Sequence, residues 1–426
     1  MRVQIDRWLP KGSMLRNITT LTSGTVFAQG LMVAALPILT RLYSPDDFSI
    51  LAVYASIVGI LTVMSCFRYN IAIPLPEDDR DGMALLVVAL LATFIVSLLC
   101  TLPVIFSPEA TAQLIGQPKL QPHLWMIPLG VFTASTYNAM QYWASRKKRF
   151  SLVAGTRITR AVGGIGAQLG LGSCSASPFG LIFGHMVYGG LGILGLLLNL
   201  RHEDRDLVNR ISFRDLFFQA RKYYRFPLFS APEALFNTAG SQLPLIIVAA
   251  TVAGPEAGFL FLAMRVMGLP MGLVGSSIGQ VFLAEAPEKL RDKTLSTFTY
   301  RTMLLLFRTG APAMLGVGLI SPLIFPFIFG PEWTQAGWLV AWMTPWFILQ
   351  FVSSPVSMVL HVLGRQGIAM MLQAFGVVCR VGSIFVANAY APEYLLEIFS
   401  ISGAILYGLY ILVIVSTLKK AENNDY

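Results

Sequence analysis

From Ile18 to Leu418 the chain is a succession of apolar runs of about twenty residues, separated by short polar connectors. A run of that length crosses the hydrocarbon of a bilayer as one helix, with every backbone polar group bonded inside the helix. Composition agrees: a soluble domain carries roughly 25% charged residues, whereas here 12% of 426 residues are charged and 55% are hydrophobic, with a mean hydropathy of +0.65. The expected fold is an all-α membrane protein of about twelve transmembrane helices. No stretch is large enough to form a soluble catalytic domain, and no enzyme activity is expected.

Breaks in the apolar pattern predict spans at 18–40, 48–67, 82–106, 123–145, 150–172 and 178–200, then at 227–252, 257–283, 300–327, 335–360, 366–387 and 393–418. Residues 201–226 form the longest polar stretch and divide the spans into an N-terminal six-helix bundle (18–200) and a C-terminal one (227–418). Residues 1–17 and 419–426 are read as cytoplasmic ends. The first 17 residues carry Arg2, Arg7, Lys11 and Arg16 but no apolar core, so no cleavable signal peptide is visible. Cys66, Cys100, Cys174 and Cys379 lie far apart and read as small apolar fillers, with neither disulfide nor metal-ligand spacing.

Orientation follows from the basic residues of the connectors. With a cytoplasmic N-terminus, 23 Lys and Arg fall in inside segments and only Arg41 and Lys119 in outside connectors. Both termini and 201–226 are therefore assigned to the cytoplasm. The same rule accounts for the net charge of +9, so no nucleic-acid partner is implied. Within 201–226, Leu216, Phe217 and Phe218 alongside Arg214, Arg221 and Arg225 suit an amphipathic helix on the inner membrane surface; a plain solvated linker is the alternative.

The two halves echo each other. Ile105-Phe106-Ser107-Pro108-Glu109 matches Ile328-Phe329-Gly330-Pro331-Glu332, and Ser44-Pro45-Asp46 matches Gly254-Pro255-Glu256. Two copies of an even number of spans enter from the same side. The expected arrangement is a parallel repeat about a pseudo-two-fold axis along the membrane normal, as transporters use.

Charge inside the spans is the most informative feature. At about 1.5 Å per residue, Arg380 lies near the bilayer centre, with Arg160, Arg265 and Arg308 at lesser depth. Each central Arg costs at least about 2.5 kcal/mol against lipid and should face water or a partner. Acidic counterparts are scarce, Glu233 and Glu285 being the clearest. A surplus of cationic charge suits an anionic head group, because the Arg fork matches phosphate oxygens. Arg265, Arg308 and Arg380 are expected to share one central cavity. Snorkelling or bonding to backbone carbonyls is the competing reading, strongest for Arg157 and Arg301 near the inner edge. Asp79-Arg80-Asp81 matches an Asp-x-Asp motif of sugar transferases but reads as a solvated charge run in a short connector. The four histidines are isolated in sequence, and no phosphate-binding loop, metal cluster or nucleophile elbow appears.

Several stretches resemble the bacterial oligosaccharide flippases of O-antigen and polysaccharide export (Wzx-like), within the superfamily that also holds multidrug/cation antiporters. They are Ser23-Gly24-Thr25-Val26-Phe27-Ala28-Gln29, Pro37 to Phe48 with Thr40-Arg41-Leu42-Tyr43-Ser44-Pro45-Asp46, and Arg68-Tyr69-Asn70-Ile71-Ala72-Ile73-Pro74. The second half adds Ala257-Gly258-Phe259 through Arg265 to Pro270, Gln280-Val281-Phe282, Phe329 to Trp333 and Gly364-Arg365-Gln366. The resemblance implies translocation of an undecaprenyl-diphosphate-linked oligosaccharide from the cytoplasmic to the periplasmic leaflet of the inner membrane by alternating access. Arg41 and Arg68 of the matching stretches then join Arg160, Arg265, Arg308 and Arg380 as substrate-binding candidates, with Glu233 as the coupling candidate. No cofactor is expected; H+, Na+ or the membrane potential remain open as drive. Membrane lipids, a polysaccharide polymerase and a chain-length regulator are the candidate partners. The family usually has Glu where Asn70 stands, which puts its mode of coupling in question here. Two rivals remain: a multidrug or metabolite/cation antiporter of the same fold, which would want an acidic cavity, and a membrane polymerase or ligase, which would want a larger outer loop than 107–122.

Overall fold

The computed structural model describes residues 14–175, 177–200, 202–252 and 254–423. Arg2, Arg7 and Lys11 of the N-terminal segment, Arg201 of the linker and residues 424–426 of the tail lie outside the described residues. The described chain is helical throughout, as the apolar runs require. Nine helices among the described residues are long and apolar enough to cross a membrane, from Thr22–Leu42 to Pro392–Glu422.

Three further spans read from the sequence fall on more polar or broken helices. Met126–Arg146 and Phe150–Cys174 are 21 and 25 residues long. Twelve residues of Met126–Arg146 are buried, including Ser135, Thr136 and Tyr137, so protein rather than lipid meets its polar side chains. The expected continuous span 257–283 is interrupted: Glu256–Met267 ends before Pro270, a π-helical turn covers Met271–Gly275, and Ser276–Arg291 follows. Pro270 removes a backbone donor and displaces the ladder, which accounts for the break. The span expected at 178–200 is likewise split into Pro178–Gly190 and Gly192–Leu198. That expected at 300–327 extends over 35 residues, Leu295–Phe329.

The Pro-acid connectors share one local solution. Helices start at Pro45, Pro108, Pro331 and Pro392, each followed by Asp or Glu in the first turn. Pro lacks the N–H that a first turn would leave unbonded, and the carboxylate lies at the positive end of the helix dipole. The matching connectors go further. Ser107 N–H donates to Pro103 O at 3.0 Å and Gly330 N–H to Pro326 O at 3.1 Å, so both preceding helices close four residues after a proline.

The chain separates into two compact units. One holds the described residues up to Tyr43 and Val53–Thr238; the other holds Ser44–Ala52 and Ala239 onward. In the first, the Tyr43 hydroxyl donates to Gln168 O at 2.7 Å. Its ring occupies space that glycines leave open: a Cβ on Gly172 or Gly180 would fall 2.7 or 2.2 Å from that hydroxyl. In the second, Leu295–Phe329 packs along Thr334–Ser353, with Ser321 Oγ donating to Gly337 O at 2.8 Å. Trp333, fully buried, takes Phe48 edge-on at 4.9 Å.

The 202–222 segment is docked on the first unit as two helices, His202–Asn209 and Phe213–Lys222. Ser212 and Asp215 form a capping box at the start of the second. Arg149 donates to the buried Asp204 at 2.6 Å, Arg80 to Asp215 at 2.7 Å, and Tyr69 Oη to Ala220 O at 3.1 Å. A plain solvated linker is therefore not what forms. Phe213, Phe217 and Phe218 are exposed (83, 66 and 61%), whereas Leu216, assigned with them to the membrane-facing side, is only half-buried. The Asp79-Arg80-Asp81 run is also structural rather than simply solvated. Asp79 pairs with Arg146, at 2.9 Å, and with Lys147; Arg146 also donates to Ile73 O and Pro76 O, fastening the 73–79 loop.

Candidate functional site

The arginines within the spans fall into two classes. Arg160 and Arg380 are held by aromatic rings. In the first unit the Arg160 guanidinium carbon stands 3.8 Å from the Tyr137 ring centre and 4.5 Å from that of Tyr188, and Nε donates to Tyr188 O at 2.5 Å. A cation over an aromatic face is attracted by the ring quadrupole. Tyr188 follows Arg160 across a helical hairpin, so similar depth in two successive spans is the sequence signal that would have paired them. Arg157, nearby on the same helix, donates to Thr25 Oγ1.

In the second unit Arg380, 5% exposed on helix Gln366–Tyr390, has its guanidinium carbon 4.0 Å from the Trp346 ring centre and 4.7 Å from that of Phe399. Its Nε and Nη2, the Trp346 Nε1 and the Gln350 Oε1 are buried without hydrogen-bond partners among the described residues. Gln350 also bonds the phenol of Tyr407, which stands near Arg380. Helices Thr334–Ser353, Gln366–Tyr390 and Leu395–Asn423 thus surround one cation, with no carboxylate against it among the described residues. Trp346, Gln350, Phe399 and Tyr407 were not singled out by sequence; nothing in their spacing distinguishes them from core residues.

Arg41, Arg265 and Arg308 form the other class, as does Arg301: all four are exposed. Arg308 is the most informative. It lies about 20 Å along Leu295–Phe329, and Leu304, Leu305 and Leu315 around it are exposed at 48, 56 and 47%. An arginine amid outward leucines is within the apolar belt, where lipid contact is costly. Arg265 is on the last turn of Glu256–Met267, just before the π-helical break. Of the three arginines expected to share a cavity, Arg265 and Arg308 are exposed and Arg380 is enclosed. Glu233 is exposed in the first turn of Ala231–Thr251, directly after a π-helical turn at Phe226–Ser230.

Arg68 sits at a strained corner of the first unit. Phe67 and Arg68 both adopt left-handed backbone, with φ of 46° and 61°. Such conformations cost of order 1–2 kcal/mol for residues with a Cβ. Arg68 Nε and Asn70 Oδ1 are buried there without partners among the described residues. Just before the corner, Ser65 Oγ bonds Ser135 Oγ at 2.5 Å and Cys66 Sγ lies 3.2 Å from Thr93 Oγ1. Cys66 fills an apolar core with Ala72, Ile73 and Met83 and also touches this polar cluster; all four cysteines are free thiols.

The sequence profile of a family described as "Polysaccharide biosynthesis protein" matches residues 38–337. No curated protein matches the chain. Among solved structures, the lipid II flippase MurJ in an inward closed conformation is similar over 93% of this chain and 87% of its own, with a TM-score of 0.67 and 14% identity. An inward-facing multidrug resistance MATE family transporter of the MOP superfamily is similar over 94% and 95%, with a TM-score of 0.56 and 15% identity. A MOP superfamily transporter from Pyrococcus furiosus, described as having a binding pocket of reverse polarity, is similar over 95% and 96%, with a TM-score of 0.55 and 15% identity. At these identities the likeness is one of fold.

Proposed function

Because the chain belongs to the polysaccharide biosynthesis protein family and has the fold of MOP superfamily transporters, we propose that it is a flippase for an undecaprenyl-diphosphate-linked oligosaccharide. It carries its substrate from the cytoplasmic to the periplasmic leaflet of a bacterial inner membrane, with both termini cytoplasmic, in the synthesis of O-antigen or another surface polysaccharide. Twelve spans in two six-helix halves open alternately to the two sides.

The observation that carries this reading is Arg308, exposed among outward leucines. A cation so placed needs water and an anion beside it, and a lipid-linked diphosphate supplies the anion on a tail that stays in hydrocarbon. Arg265 and Arg41, also exposed, and Arg68 at its strained corner are further candidate ligands for the anionic head. Arg160 and Arg380 act from behind aromatic rings, as fixed positive charge rather than as direct ligands. Cationic drugs, by contrast, would be repelled, which disfavours the antiporter reading. Glu233, an exposed carboxylate, is the group that would couple transport to H+ or Na+.

The test is export of the lipid-linked glycan in cells that depend on this chain. Arg308→Ala abolishes export at unchanged protein level, and Arg308→Lys restores part of it, since a point charge replaces a fork. Normal export by Arg308→Ala would overturn the reading.

A further inference from the structure

A cavity of about 690 Å³ opens in the second unit among the ends of Ser276–Arg291, Gln366–Tyr390 and Leu395–Asn423. Four cations line it: Arg291, Lys293, Arg365 and Lys420. No carboxylate is among its lining residues. All four side chains are exposed, and none forms an ion pair among the described residues. The rest of the wall is largely apolar, with Ile368 and Val413 among its residues.

The backbone holds the rim in place. Helix Ser276–Arg291 ends in a turn where Lys293 is left-handed, with φ of 55°, and Thr294 N–H reaches back to Lys289 O at 2.9 Å. The turn before Gln366 repeats this: Gly364 has φ of 69° and Arg365 N–H reaches Leu360 O at 2.7 Å. Both are six-to-one helix caps, and each presents a cation at the cavity. The hydroxyls that line it are already committed, since Ser416 and Thr417 both donate to Val413 O, at 3.0 and 2.7 Å. Polar recognition therefore falls to the four cations, while the wall between them is hydrocarbon.

That pairing selects an amphiphile whose head is anionic. Basic residues at the ends of membrane helices attract anionic lipid heads, and the volume lies in the range of small-molecule sites. We propose that this cavity binds a lipid phosphate, with the head on Arg291, Lys293, Arg365 and Lys420 and the first part of the tail against Ile368 and Val413. Two sources share this chemistry, a resident anionic phospholipid and a polyprenyl diphosphate. The proposal does not depend on what the chain transports.

The experiment measures retention of defined lipids on the purified full-length chain by native mass spectrometry and by competition in detergent. The probes are phosphatidylglycerol, phosphatidylcholine, a polyprenyl diphosphate and inorganic diphosphate alone. At least one of phosphatidylglycerol and the polyprenyl diphosphate is held more tightly than phosphatidylcholine, and which of the two is held identifies the source. Removing charge weakens that retention by roughly fivefold per cation, so the Arg365→Gln/Lys420→Gln double variant loses about 25-fold. The double variant Arg205→Gln/Arg210→Gln, on the exposed surface of the 202–222 segment, retains the lipid as the parent does. Equal retention of phosphatidylcholine, inorganic diphosphate binding as tightly as the lipids, or unchanged retention by the Arg365/Lys420 variant in a sample with parental melting behaviour would each overturn the assignment.

Discussion

The guanidinium of Arg380 is stacked 4.0 Å above the centre of the Trp346 indole, and neither Arg380 Nε nor Trp346 Nε1 has a hydrogen-bond partner among the described residues. A buried cation in this state is held by ring quadrupoles and packing, which replace only part of what it loses on leaving water. It is therefore expensive as charge and useful as volume.

This separates two substitutions. Arg380→Ala opens a hole between Trp346 and Phe399 and lowers stability by about 2–4 kcal/mol, in the range of large-to-small changes in cores. Arg380→Met keeps most of the volume, discards the charge, and leaves stability within about 1 kcal/mol. Thermal unfolding in detergent reads both. A Met variant as unstable as the Ala variant would mean that the charge itself joins the three helices.

Asp204 is fully buried and receives Arg149 at 2.6 Å, with the Arg149 side chain 14% exposed. Breaking such a pair from one side strands the carboxylate, at a cost of about 3 kcal/mol. Arg149→Ala therefore exposes the 202–222 segment to protease, and adding Asp204→Asn restores much of its protection. If the double variant is no better protected than Arg149→Ala, Asp204 is not the anchor.

Asp215 gives the same segment a pH response. Its carboxyl is held below the ordinary carboxylate range, chiefly by the backbone N–H of Ser212, then by the Ser212 hydroxyl and Arg80. A depressed folded-state value means that the stabilisation is complete at neutral pH. It is lost as pH falls below about 4. Hydrogen exchange of 212–222 is accordingly flat from pH 8 to 5, after correction for intrinsic rates, and rises in stronger acid. Asp215→Asn shows weaker protection throughout and no such rise. A transition near pH 6 would point to a different group.

How much of this was legible in the sequence depends on what each feature is made of. Apolar runs and Pro-acid connectors announce the helices, because length and local backbone chemistry decide them. The break at Met271–Gly275 is signalled by Pro270, which bends a helix, although the flanking apolar residues make the span look continuous. Rotation about a helix axis is another matter. Arg308 and Arg380 both look deep in a linear reading, yet one is exposed and the other enclosed. What divides them is Trp346 and Phe399, brought in from two other helices by packing. Likewise Arg291, Lys293, Arg365 and Lys420 read as scattered markers of the inner side, and only the fold gathers them around one cavity.

Tyr43 has a mechanical consequence. Its ring is lodged against the glycine-bared surfaces of Phe150–Cys174 and Pro178–Gly190, just beyond the end of Met14–Leu42, with its hydroxyl on Gln168 O. It works as a rivet through three helices, which must swing as a single plate. In the proposed transport cycle the compliance of this unit then falls to its irregular joints, the left-handed corner at Phe67 and Arg68 and the π-helical turn at Phe226–Ser230.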